Sequence, residues 1–162
     1  MIKVSNPYII DIEASGFGHD SYPIEIGLAL NQEDRYCSLV KPQPDWTHWD
    51  MGAEDTHHIP RNLIETRGKP AAVVAHELNR LLGEGFVFSD GSVVDVPWIT
   101  KLYEAARTTR SFQIYDLQTI LSEKQMREWY TCKTQVLEEL NIERHRASND
   151  ARVIQETFRR TL

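Results

Sequence analysis

Cysteine is scarce in this chain: Cys37 and Cys132 are the only two in 162 residues. Two are too few for a disulfide framework, and their separation fits no metal-ligand spacing. They read as two buried thiols in a reducing compartment, which predicts a cytoplasmic location. No apolar run approaches the roughly 20 residues of a membrane span. Met1-Ile2-Lys3 leads straight into a strand-like segment instead of a signal peptide, so no membrane association is expected. An excess of positive charge is also lacking. The formal net charge of −6 argues against a protein that coats nucleic acid by bulk electrostatics. Internal repeats, linkers and low-complexity tracts are missing as well.

The remaining composition is that of an ordinary globular domain, 41% apolar and 26% charged, long enough to bury one sizeable core. A single domain over residues 1–162 is expected. The charge is unevenly spread. Residues 1–60 hold three basic side chains (Lys3, Arg35, Lys41) against ten acidic ones, whereas residues 61–162 hold fifteen against fourteen. A cluster of metal-binding carboxylates would itself add to such an acidic segment, and local binding of a short nucleic-acid end stays compatible with it.

Tyr8-Ile-Ile-Asp-Ile12, Ile24–Leu30 and Arg35–Val40 are short, apolar and β-branched, and predict three strands, with Asn31–Asp34 as the hairpin turn between the last two. Asp45–Ile59 has no clear period and reads as a surface loop with short helical turns. Pro70 suits the first turn of a helix whose apolar stripe runs to Leu82 before Gly83. Phe86–Ser89 predicts a fourth strand, Pro97 the first turn of a helix through Ala106, and Phe112–Tyr115 a fifth strand. Helices follow at 117–121, 123–140 and 147–160. Three strands in meander and then strands alternating with helices imply an α/β fold with one central mixed sheet.

On a strand, residues i and i+2 share a face, so Asp11 and Glu13 project together while Ile10 and Ile12 face the other side. Two carboxylates held so close resist joint ionisation unless a cation neutralises them. Oxygen ligands suit Mg²⁺ or Mn²⁺ better than zinc. Far along the chain, His145-Arg-Ala-Ser-Asn-Asp150 offers a second pair. Ser148 is a good N-cap candidate, which would fix Asp150 in a helical first turn and leave His145 on the loop before it. A neutral imidazole accepts a proton near neutrality. A rigid carboxylate beside such a base is what water activation at a metal requires.

These segments together resemble the DEDDh family of 3′–5′ exonucleases, of the ribonuclease H-like superfamily. Asp11-Ile-Glu13-Ala-Ser-Gly is similar to the family's first motif, and His145 five residues before Asp150 to its third. Phe86-Val-Phe-Ser-Asp-Gly-Ser-Val-Val-Asp95 has the spacing of its second, with Asp95 at the ligand position. Ser89-Asp90-Gly91 replaces the usual Ala-His-Asn. Asp90 is thus a second candidate acid, and register favours Asp95. Ser148 stands where an apolar residue is usual. A tyrosine-type site would have Tyr at position 146, which is Arg146 here.

The resemblance implies a ribonuclease H-like fold, a central five-stranded mixed sheet flanked by helices. It also implies a hydrolase releasing nucleoside 5′-monophosphates from the 3′ ends of single-stranded DNA or RNA. Two divalent ions, Mg²⁺ or Mn²⁺, are the implied cofactors, with Asp11 shared between them, Glu13 and Asp150 completing one site and Asp95 supporting it. His145 is the implied general base. Ala14, Ser15, Gly16 and Phe17 match positions lining the terminal nucleotide, and His57 and Ile59 of Thr56-His-His-Ile59 match the nucleotide-facing loop. Trp46, Trp49 and Trp98 read as packing residues, with stacking on a base as the alternative. A homodimer is left open. The competing expectation is an inactive ribonuclease H-like module that binds nucleic acid or a protein partner, which has no need of all five catalytic groups.

Overall fold

A computed structural model describes residues 4–31 and 33–162. Met1–Lys3 and Gln32 lie outside the described residues; the expected Asn31–Asp34 turn is closed by the Asp34 N–H on the Asn31 carbonyl at 2.8 Å.

Five strands form one sheet in the order β3-β2-β1-β4-β5: β1 Ile9–Ala14, β2 Pro23–Ala29, β3 Arg35–Leu39, β4 Phe86–Ser89 and β5 Gln113–Asp116. The first three are antiparallel neighbours; β4 runs parallel to β1, and β5 parallel to β4. Among the described residues six helices flank the sheet: α1 Met51–His57, α2 Arg61–Arg67, α3 Ala71–Leu82, α4 Ser92–Ala106, α5 Glu123–Leu140 and α6 Ala147–Arg160. Leu117–Ile120 is a single 3₁₀ turn. Among the described residues no helix is long and apolar enough to cross a membrane.

The alternation of β1 decides what each face carries. Ile10, Ile12 and Ala14 pack with Ile24, Ile26 and Leu28 against Val74, Leu78, Ile99 and Leu102 of α3 and α4. Ile9 faces the other way, onto Trp129 of α5 and Ala151, Ile154 and Phe158 of α6. Asp11 and Glu13 share the Ile9 face, so α6 is the helix that meets them. It meets them closely because Gly27, directly opposite Asp11 on β2, has no side chain. A Cβ there would overlap the backbone of Ala147 and Ser148. Gly27→Ala is therefore expected to lower stability by about 1–3 kcal/mol through overpacking, read as a fall in melting temperature of several °C. The displaced α6 should also lower any activity that depends on Asp150. An unchanged melt would show that the two backbones do not touch.

The structure departs from the sequence reading in five places. Cys37 is exposed and Cys132 half-buried, so neither thiol is buried as expected, because one lies on the edge strand β3 and the other on the largely exposed α5. Asp45–Ile59 holds α1, in line with the short helical turns expected there, but Arg61–Arg67 forms an unexpected α2 directly after Pro60; its seven residues are too few to establish a period. Pro70 is the N-cap of α3 and not its first-turn residue. Helix α4 starts at Ser92, five residues before Pro97, so Pro97 lies inside it and Asp95 in its first turn. The proline removes one helical hydrogen bond, to the carbonyl of Val93, an exposed first-turn residue. Finally, α6 starts at Ala147 with Arg146 as N-cap, so Ser148 is inside the helix. The Glu25 carboxylate, on the neighbouring strand β2, accepts the Ala147 N–H at 2.8 Å in place of a local cap.

Candidate active site

Asp11, Glu13, Asp95, His145 and Asp150 line one cleft of about 440 Å³. Asp11 and Glu13 reach it from β1, Asp95 from the first turn of α4, and Asp150 from the first turn of α6. Three regions far apart in sequence are thus joined by the parallel β1–β4 pairing and by the seating of α6 at Gly27. Ligating atoms of Glu13, His145 and Asp150 all lie within 4.8 Å of one another.

Asp150 organises the loop before its own helix. It accepts the His145 backbone N–H at 3.0 Å on Oδ2 and the Arg144 Nε–H at 3.2 Å on Oδ1. His145 sits at φ 58°, a left-handed conformation uncommon for a residue with a side chain. The bond to Asp150 secures that turn while the imidazole stays about half exposed, its Nδ1 3.9 Å from Asp150 Oδ2. Arg146 is held in turn by the fully buried Glu25, whose carboxylate accepts its Nε–H and Nη2–H, the latter at 2.6 Å.

Asp95 is buried, and Ser89 Oγ donates a short hydrogen bond to one of its oxygens, while the Gly91 N–H holds the serine. Asp90, the second candidate acid, does not line this cleft. It pairs with Lys133 at 3.1 Å and lines a smaller adjoining cavity.

Burial, with repulsion from Asp95, Glu13, Asp150 and Asp90, holds the Asp11 carboxyl well above the usual range. Burial also pushes Glu13 up to about 8, reinforced by Asp150, Glu25 and Asp95 and partly offset by Arg146. Asp95 is raised to about 7, chiefly by burial, although the Ser89 bond works in the other direction. Carboxylates this crowded lack sufficient countercharge from the protein.

No protein-family model and no curated protein matches the chain. Solved structures do. E. coli exonuclease I in complex with a dA16 oligonucleotide superposes with a TM-score of 0.71 at 14% identity, over 96% of this chain and 40% of that one. Its complex with a dT13 oligonucleotide gives 0.68 at 14%, over the same shares, and a product-bound exonuclease I gives 0.67 at 14%, over 93% and 41%. The chain therefore spans about 40% of the length of the exonuclease I chains it matches. The fold is ribonuclease H-like.

Within this ribonuclease H-like frame, the wall of the cleft beyond the acids is apolar and the expected substrate positions divide. Ala14, Gly16, Phe17 and His57 line the cleft. Phe17 is three-quarters exposed, its ring 6.1 Å from that of Trp98. Gly16 allows the loop to pass close to its neighbour: a Cβ there would fall 2.7 Å from His48 Cε1 and 2.8 Å from Asp50 Cβ. Ser15 is turned inward, its Oγ accepting the Tyr22 N–H and bonded to His48 Nδ1 at 3.0 Å. Ile59 is fully buried in the core, not in the cleft, and its N–H donates to His57 Nδ1 at 3.0 Å. That bond leaves the proton of a neutral His57 on Nε2, which lies beside the Ala14 carbonyl without a well-formed hydrogen bond. Burial lowers the His57 pKa, so the ring is neutral near pH 7.

Several lining residues escaped the sequence reading. Gly52, Ala53 and Thr56 of α1 form part of the wall; the only advance signal was Asp50, which caps α1 through the Gly52 N–H. Trp98 lines the cleft, and its Nε1–H donates to Ser21 Oγ at 2.8 Å, fixing the loop that carries Phe17. Trp46, stacked on Tyr22 at 5.2 Å, and Trp49, bonded to Glu54, are packing residues.

Proposed function

We propose that the protein is a metal-dependent 3′–5′ exonuclease that releases nucleoside 5′-monophosphates from single-stranded nucleic-acid ends. One observation carries this reading: five groups from three separate regions, four carboxylates and a half-exposed imidazole, converge beside an apolar pocket wide enough for one nucleoside. The oligonucleotide and product complexes of exonuclease I, of the same fold, support it.

The donor set fits hard divalent ions. It is dominated by carboxylate oxygens, and the raised acids have too few cations among the described residues to balance them. Asp11, Glu13, Asp95 and Asp150 would hold two Mg²⁺ or Mn²⁺ ions, with Asp11 shared. When bound, such ions supply charge stabilisation to the attacking and leaving oxygens of an in-line displacement.

The chain's own residues do the rest. His145 accepts a proton from the attacking water on an imidazole nitrogen, its backbone held by Asp150 and its ring free to reach solvent. Phe17 and Trp98 pack against the terminal nucleoside and hold it in line with the acids. His57, buried behind the wall with its Nε2–H beside the Ala14 carbonyl, backs the strand end that carries the terminal nucleoside. The Arg146–Glu25 pair keeps the His145 turn against the sheet.

Digestion of 5′-labelled single-stranded DNA and RNA, with free and blocked 3′ ends, tests the reading. The expected result is a ladder shortening from the 3′ end in Mg²⁺ or Mn²⁺, abolished by EDTA and by the 3′ block. Cleavage that persists in EDTA, or that starts internally, would refute it.

A further inference from the structure

We infer that the strand upstream of the scissile bond leaves the acidic centre past Lys133 and stacks on Tyr130 of α5. This rests on the nuclease reading above and adds a second substrate site to it. The cleft that holds the five catalytic candidates shares Asp11 and Asp150 with an adjoining cavity of about 180 Å³, and that cavity shares Asp90 and Lys133 with a third, of about 310 Å³. Through these shared residues the three adjoin in series, and the proposed path takes them as one groove. A phosphodiester placed at the acids has the terminal nucleoside on one side, in the apolar pocket of Phe17 and Trp98. The rest of the chain must leave on the other side, and this groove is open to receive it.

Its chemistry suits a single strand. The middle cavity brings two cations, Lys133 and Arg144, to the edge of an acidic centre. Lys133 spends one contact on Asp90 at 3.1 Å, and an ammonium has three donors, so two remain for phosphate oxygens. Beyond it, Met126 and Tyr130 lie on the Lys133 face of α5 at helical spacing. They are 47% and 82% exposed, large apolar groups with no part in the core. Trp129 and Leu117 floor the groove beside them. A flat exposed ring one step past a phosphate-binding cation is the arrangement that holds unpaired bases.

The test compares a 12-nucleotide single strand (oligo-dT and oligo-U) with the corresponding dinucleotide. It uses wild type, Tyr130→Ala, Lys133→Gln, the double variant and Tyr130→Phe, with folding checked by circular dichroism. Fluorescence anisotropy with Ca²⁺ in place of Mg²⁺ should show the double variant binding the 12-mer at least about tenfold more weakly. Tyr130→Phe should stay within about twofold. Lys133→Gln should reduce the salt dependence of 12-mer binding by about 0.7 in log–log slope. In Mg²⁺, the ratio of kcat/KM for 12-mer over dinucleotide should fall about tenfold. Unchanged 12-mer affinity, or equal losses on both substrates, overturns the strand path. So does a change in sedimentation coefficient without a change in affinity, which would make Tyr130 a contact between copies. A wild-type protein that binds the 12-mer without cleaving it refutes the nuclease reading, and the anisotropy series then decides the path separately.

Discussion

Replacing Asp11 by Asn is expected to lower the rate of oligonucleotide hydrolysis by at least about 10³-fold while raising the melting temperature of the metal-free protein. The two effects have one cause. Asp11 lies among Asp95, Glu13, Asp150 and Asp90, and burial and their repulsion hold its carboxyl far above the ordinary range. An amide of the same shape keeps the packing and needs neither to ionise in this site nor to take up a proton on folding, so the folded state gains. The same change removes the carboxylate proposed to be shared by two cations, and charge stabilisation at the reacting centre is commonly the largest single catalytic contribution. Steady-state hydrolysis and a thermal melt in EDTA check both halves. Hydrolysis at the wild-type rate would sink the metal-site assignment. His145→Ala should differ in kind, losing about 10²–10⁴-fold in rate while calorimetry still shows Mn²⁺ binding. Equal loss of metal binding would make His145 a ligand and not the base.

The second large effect is on pH dependence. Metal-free protein should become less stable as pH rises from about 4.5 to 8. Glu13 loses its proton near 4.5 in the unfolded chain and near 8 in the folded one, and Asp95 shifts in the same direction, from 3.8 to about 7. The folded state therefore binds more protons throughout that window, and the unfolding free energy falls as pH rises. Because the groups are coupled and partly screened by solvent, a loss on the order of 2–4 kcal/mol is expected, less than the shifts taken singly would suggest. That is a fall of roughly 5–10 °C in melting temperature. Mn²⁺ should reverse it, raising the melting temperature far more at pH 8 than at pH 5, since cations and protons compete for the same oxygens. Melts that rise with pH in EDTA would show that the acids are not crowded as described.

Much of this was legible in the sequence because it depends on local geometry. The i, i+2 spacing puts Asp11 and Glu13 on one face of β1, and β-branched runs mark the first strands of the sheet. His145 and Asp150, five apart at a helix start, fall on the same turn. Other features depend on contacts between distant segments and left no local trace. Helices α1 and α2 are too short to have a period, yet α1 builds part of the cleft wall. Pro97 suggested a helix start, but the first turn had already formed over Ser92–Asp95. Ser148 had the chemistry of an N-cap, and Glu25, more than 120 residues away, does the capping. Ser15 and Ile59 sit in the motif and face inward, because one hydroxyl satisfies the Tyr22 N–H and one aliphatic side chain fills the core.

By itself the sequence determined which residues are candidates for the chemistry: side-chain identity and spacing along one strand or one helical turn are local properties. Only the tertiary structure decided how they meet. Gly27 lets α6 approach the sheet until Asp150 stands beside Glu13. The β1–β4 pairing brings Asp95 to the same cleft, and the seating of α5 places Lys133 beside Asp90. Each of these depends on the distance between two backbones, which packing sets and no short stretch of sequence contains.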